Sequence, residues 1–192
     1  ETVSNIGVTF DRHMSLDQHV TNICKACFFH LRNIAKIREY LSTADTETLV
    51  HAFITSKLDS CNSLLYGLPK SMIDRLQNVQ NSATRLITRN KKFDHITPVM
   101  KRLLWLPIKQ RIVYKILLIT YKALNGLAPS YICHMLQPLK STINLPSTMK
   151  GFLLVPPIKL VNYGQRSFAY AAPKLWNELP YTVRYSESIS AF

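Results

Sequence analysis

Cations at helical spacing are the most chemically telling feature of this sequence. Arg75, Asn78, Ser82, Arg85 and Arg89 follow one another at steps of three, four, three and four, the interval that puts side chains on one face of a helix. Arg, Asn and Ser are side chains that donate to phosphate and sugar oxygens. Lys25, Phe29, Arg32 and Lys36 form a comparable line with an aromatic ring among the cations. Lys109, Arg111, Lys115 and Lys122 fall toward the limited polar side of a third segment. A charged stripe is commonly just the solvated face of an amphipathic helix, but such a face mixes signs. These three stripes carry ten cations and no carboxylate at the named positions. The whole chain agrees, with 24 Lys and Arg against 11 Asp and Glu for a net charge of +13. That imbalance creates a field that attracts polyanions, nucleic acid first and an anionic membrane surface second.

Other chemistry is poorly supplied. Two-metal phosphoryl transfer needs carboxylates converging on ions about 4 Å apart, and the 11 acids are scattered, with Asp45, Asp74 and Asp94 placed like helix-start residues. Cys24-Lys-Ala-Cys27 is half of a zinc pattern with no second closely spaced pair of Cys or His; both sulfurs fall on an apolar helical stripe and read as buried small hydrophobes. The six histidines form no ligand motif, and no Ser or Cys nucleophile has a recognisable base. Trp105 and Trp176 stand among leucines and read as core anchors. The expectation is a non-enzymatic chain with no cofactor and no bound metal.

The elements that would position the stripes are mostly helical. Residues 5–10 are β-branched and predict a short strand. Ser15 or Asp17 then caps a long helix with Val20, Ile23, Cys24, Cys27, Leu31 and Ile34 inward. A second helix follows Ser42–Asp45, with Leu49, Val50, Phe53, Ile54 and Leu58 inward. A third begins near Ser71, where Asp74 three residues on makes a start like a capping box, and runs to about Arg89. A short fourth opens at Asp94 or Thr97, and a fifth runs from about Ile108 to Leu124, apolar over most of its circumference and therefore central. Gly126 closes it. Residues 138–157 hold four prolines and read as a linker. Beyond it come a possible strand at Ile158–Val161, a helix around Ser167–Asn177, and the start of another at Ser186–Phe192. The predicted class is mainly α: a helical bundle with a short N-terminal strand and a small C-terminal α/β tail. The longest apolar run is far short of the ~18–20 residues that span a bilayer, and no charged-then-apolar leader follows Glu1. A soluble, non-secreted chain of the cytoplasm or nucleus with free thiols is expected, and both ends look cut.

Specific words then add to this reading. Ile6-Gly-Val-Thr-Phe-Asp11, Leu16-Asp-Gln-His-Val20, Ser56-Lys-Leu-Asp-Ser-Cys-Asn62 and Leu65-Tyr-Gly-Leu-Pro69 are followed by Leu76-Gln-Asn-Val-Gln-Asn81 with Arg85, then His95-Ile-Thr-Pro98. Trp105-Leu-Pro107, Arg111-Ile112 and Tyr121-Lys-Ala-Leu-Asn-Gly126 come next, then Tyr163-Gly164, Arg166-Ser-Phe168, Ala172-Pro-Lys-Leu-Trp-Asn177 and Leu179-Pro180. In this order they resemble the region of non-LTR (LINE-type) retrotransposon polyproteins just after the reverse-transcriptase palm. The resemblance implies that residues 1–13 are the end of a palm strand, 14–137 a helical thumb-like bundle, and 138–192 a truncated C-terminal segment. It implies a parent RNA-directed DNA polymerase whose paired catalytic Asp precede Glu1, with the palm and fingers of that parent and an RNA or RNA–DNA template–primer as partners. Leu104 stands where the family usually has His, and a non-catalytic protein-interaction or structural remnant of a degenerate element, with no selected role, is the alternative reading.

Overall fold

The computed structural model describes residues 2–91, 93–139, 151–190 and 192. The described chain is mainly helical and divides into two compact units, Glu1–Arg111 and Ile112–Phe192. That division differs from the change of composition at 137/138, because residues 112–136 pack with the C-terminal segment.

The first unit opens with a hairpin rather than a single strand. β1 (Thr2–Asn5) pairs antiparallel with β2 (Val8–Asp11), Asn5 opposite Val8. Ile6 and Gly7 make the two-residue turn with φ of 47° and 76°. Positive φ at both positions matches the right-handed strand twist, and it is the arrangement that favours Asn-Gly. Ile at the first position hid the turn from a reading by residue type.

α1 (Asp17–Ile37) buries His19, Val20, Ile23, Cys24, Cys27, Leu31 and Ile34 on one face, as the period requires. The N-cap position falls at Leu16 rather than at Ser15 or Asp17, while the Ser15 hydroxyl accepts the N–H of Asp17, the first helical residue, at 3.3 Å. Asp11, from the end of β2, accepts the backbone N–H groups of His13, Ser15 and Leu16 at 3.0, 3.0 and 2.7 Å, and the Ser15 hydroxyl at 3.0 Å. The Ser15 amide and these further donors lower the Asp11 carboxyl to about 2. The Thr9 N–H donates to His19 Nδ1 at 3.4 Å, which ties the hairpin to α1, and burial lowers the His19 pKa.

α2 (Thr43–Val50) starts on Ser42, whose hydroxyl accepts from the Asp45 N–H and donates to the Asp45 carboxylate. It continues through a π turn (His51–Thr55) into α3 (Ser56–Asp59). The wide turn keeps Val50, Ile54 and Leu58 in register inward and leaves Phe53, expected inside, 43% exposed. α4 (Lys70–Thr88) begins after Pro69, one residue before the predicted Ser71, with no side-chain cap; Asp74 instead pairs with Lys70. Its inner face is Leu76, Val79, Gln80, Ala83, Thr84 and Ile87.

α1 and α4 lie side by side and run parallel, because contacts join start to start and end to end. Arg75 reaches Asp17 and Thr21 at one end. At the other, the buried Arg38 donates to the Leu86, Ile87 and Leu41 carbonyls at 2.9, 2.8 and 2.8 Å. Arg38 thus satisfies the open carbonyls of the last α4 turn with a cation where the helix dipole favours one.

α5 (Thr97–Arg102) ends on Leu104, which has φ 56° and is 90% exposed. Trp105 follows and is buried, edge-on to His51 at 5.4 Å, in agreement with a core role. An amide cluster on α4 then holds the next turn: Gln80 donates to the Leu106 carbonyl at 2.8 Å, and Gln77 accepts the Ile108 N–H at 2.9 Å while donating to Gln80 and Asn81. α6 (Ile108–Leu124) matches its predicted bounds and closes at Gly126, φ 69°, with the Leu127 N–H on the Lys122 carbonyl.

In the second unit, α7 (Ser130–Cys133) leads to an antiparallel bridge, Pro138 opposite Leu153. Residues 140–150 of the expected linker lie outside the described residues. Asn177 holds Leu153 by both backbone groups, at 2.9 and 2.8 Å, and Trp176 Nε1 donates to the Gly151 carbonyl. The strand expected at 158–161 is absent: 158–160 carry no ladder, and α8 (Val161–Gly164) begins there. Gly164 lies so near Ile158 that an added Cβ would sit 2.9 Å from its Cβ. α9 (Phe168–Asn177) starts after Ser167 as predicted, and α10 (Tyr181–Arg184) is a single turn. The helix expected from Ser186 does not form among the described residues; there the chain bends, with the Phe192 ring against Trp176 and Tyr121.

Candidate nucleic-acid interface

The three stripes fare differently once their neighbours are in place. On α4 the spacing does put Arg75, Asn78, Ser82, Arg85 and Arg89 along one side, but the arginines are already engaged. Arg75 pairs with Asp17 at 2.8 Å and donates to Thr21 Oγ1 at 2.7 Å. Arg85 reaches the Asp94 carbonyl at 3.5 Å and keeps its Nε enclosed without a partner. Arg89 ends the helix with φ 54° and donates to the Arg38 carbonyl at 3.2 Å. The Ser82 hydroxyl bonds back to the Asn78 carbonyl, leaving only the exposed Asn78 side chain uncommitted.

Arg111 is committed still further. Its guanidinium meets Asp59 at 2.6 Å and the Leu106 carbonyl at 3.0 Å, and lies 6.0 Å from the Trp105 ring centre. Only 15% of the side chain is exposed, so this ion pair is a packed junction between α3 and the start of α6. Lys109 is exposed on the first turn of α6. Lys115 is exposed and Lys122 half-buried, both within the second unit.

On α1 the line stays open. Lys25, Arg32 and Lys36 are exposed and make no bond or ion pair among the described residues. Gln18, Asn22 and Phe29 share their side, since 18, 22, 25, 29, 32 and 36 repeat at three and four. Gln18 donates to Asn22, and Asn22 to Thr9 Oγ1. From Lys25 to Lys36 the line runs about 16 Å at 1.5 Å per residue. No carboxylate interrupts α1 after Asp17, which is held by Arg75; Glu39 in the turn beyond is the next.

No protein-family model, curated protein or solved structure matches the chain.

The carboxylates of the first unit explain why α1 is left electropositive. Asp11 faces backbone N–H groups, Asp45 accepts the hydroxyl of the α2 cap residue Ser42, Asp59 and Asp17 hold arginines, Asp74 holds Lys70, Asp94 accepts the Lys91 N–H, and Glu47 faces His51. Apart from Glu39, exposed in the turn after α1, these carboxylates are spent locally on a cap or a pair. Among the described residues no three His, Cys, Asp or Glu side chains gather where they could hold a metal ion. Cys24 and Cys27 lie on the inner face of α1, and burial pushes the Cys27 thiol up to about 11. No helix is long and apolar enough to cross a membrane among the described residues.

Two features escaped a reading by sequence. Arg38 gives no local sign of burial, because two of its three carbonyl partners lie 48 and 49 residues away. The second is a surface cluster of rings: His30 on α1 stacks on Phe53 of the π turn at 5.0 Å and 20°, and Phe29 meets His30 edge-on at 5.4 Å. The only sequence signal was Phe29 among cations; Phe53 lay on a stripe whose phase the π turn altered.

Proposed function

We propose that this chain is the non-catalytic, thumb-like region of a LINE-type reverse transcriptase, and that it holds template–primer nucleic acid with the outer side of α1. The observation that carries this reading is the open line of Lys25, Arg32 and Lys36, cationic along about 16 Å, with no partner for the three cations among the described residues. Such a surface neutralises successive phosphates and positions a duplex without reading its bases. The arginines of α4 and Arg111 then act one step back. Arg75 and Arg89 fasten α4 to the two ends of α1, and Arg111 fastens α3 to the start of α6, so together they fix the bundle that presents α1.

A second reading is a structural remnant without nucleic-acid work, favoured by the internal commitment of Arg75 and Arg111 and by exposed Val3, Ile6 and Leu104. Binding of the full chain to two unrelated RNA–DNA hybrids separates the readings. The triple variant Lys25→Gln/Arg32→Gln/Lys36→Gln should weaken both complexes by a similar factor, since phosphate contacts carry no sequence information. Unchanged affinity in a folded triple variant supports the remnant.

A further inference from the structure

We infer that the rings of Phe29, His30 and Phe53 form a platform on which an unpaired base of a bound nucleic-acid strand stacks. This rests on the phosphate-holding role proposed for α1 and extends it from duplex to single strand.

Single exposed apolar residues are ordinary on a protein surface; this group is not scattered. Phe29 is 56% exposed and Phe53 43%, and His30 bridges them by one edge contact and one stack. Phe53 reaches this position because the π turn rotates it off the core stripe, and π turns inside helices recur at functional sites. Cations surround the rings: Lys25 and Arg32 lie about one turn to either side of Phe29 on α1, and Lys57 lies four residues beyond Phe53.

Aromatic rings set in a cationic track are how proteins hold single-stranded nucleic acid without sequence preference: cations follow the backbone and rings take the π face of any base. A duplex offers phosphates to Lys25, Arg32 and Lys36 but keeps its bases enclosed. The rings therefore have work only where a strand is unpaired, as beyond a duplex end. An apolar protein partner fits the rings but gives the surrounding cations no role.

The test compares three labelled probes with the full chain by fluorescence anisotropy: a blunt RNA–DNA hybrid, the same hybrid with a single-stranded oligo(dT) overhang, and that hybrid with an abasic overhang of equal length. Base and abasic overhangs carry the same phosphates, so charge cancels between them. The wild type should bind the base-containing overhang about five-fold or more tighter than the abasic one, the low end of one stacked base. Phe53→Leu should narrow the difference between the two while leaving blunt-hybrid affinity unchanged. Equal binding of base and abasic overhangs by the wild type, with the blunt hybrid still bound, overturns the platform and leaves the phosphate-holding role standing. Binding of no probe sinks that role and the platform together.

Discussion

Replacing Arg38 by Met removes three donors from the ends of α1 and α4 and leaves a side chain of similar length. The Ile87 carbonyl is fully buried and loses its partner outright, while the Leu86 and Leu41 carbonyls are partly buried and can take water. A buried unsatisfied acceptor costs about 1–3 kcal/mol, and an exchangeable bond about 1 kcal/mol. Removing the guanidinium also ends its own desolvation, which offsets part of the loss. A net destabilisation of about 3 kcal/mol is expected. Urea denaturation followed by circular dichroism measures it, with Arg32→Met as comparison. Arg32 lies six residues earlier on the same helix, is exposed and has no partner, so its loss should stay within about 0.5 kcal/mol. Arg38→Lys should lose most of the stabilisation, since one ammonium cannot span three carbonyls. A cost below about 0.5 kcal/mol for Arg38→Met, or equal costs for both Met variants, would refute the capping role.

Three further outcomes follow from the same contacts. Leu104→Gly should raise the melting temperature, since Leu104 is 90% exposed at φ 56° and a left-handed conformation costs a non-glycine residue about 1 kcal/mol; a fall in melting temperature would show that its side chain is used. Stability should fall in two stages on acidification. His19 has a lowered pKa in the fold, so the unfolded chain takes the proton first and stability declines below its ordinary 6.5. Asp11, lowered to about 2 from 3.8, adds a second loss as pH falls between those values, and Asp11→Asn should flatten that limb alone in a melting series. With Mg²⁺ or Mn²⁺ and a primed RNA template, the chain should incorporate no nucleotide; incorporation that one Asp substitution abolishes would overturn the non-catalytic proposal.

Much of this architecture was legible from periodicity. The inner face of α1 and both ends of α6 follow from apolar spacing, because a long amphipathic helix carries its own register. What was misread depends on partners distant in sequence or on backbone geometry. Asp11, at the end of the preceding strand, takes the Leu16 N–H and the Ser15 hydroxyl takes the Asp17 N–H, so the start of α1 is held by two residues of which the sequence pointed to one. Ile6-Gly7 turns where an Ile reads as strand. Arg75, Arg85 and Arg89 were correctly placed on one side, yet Asp17 lies 58 residues from Arg75, and spacing within one helix cannot reveal that pairing. The cations of α1 were legible for the converse reason: among the described residues nothing pairs with them.

Whether α1 holds phosphates separates a nucleic-acid clamp from a structural remnant. The direct measurement is affinity for a blunt RNA–DNA hybrid across a salt series, for wild type, Lys25→Gln/Arg32→Gln/Lys36→Gln and Arg75→Gln, with circular dichroism to establish folding. Each phosphate contact contributes about 0.9 to the slope of log affinity against log salt. The α1 triple variant should be shallower by up to about 2.7 if each cation holds one phosphate, whereas Arg75→Gln should keep a slope near wild type because its charge is already matched by Asp17. A wild-type slope in the folded triple variant, or a larger change from Arg75→Gln, would contradict the placement of the interface on α1.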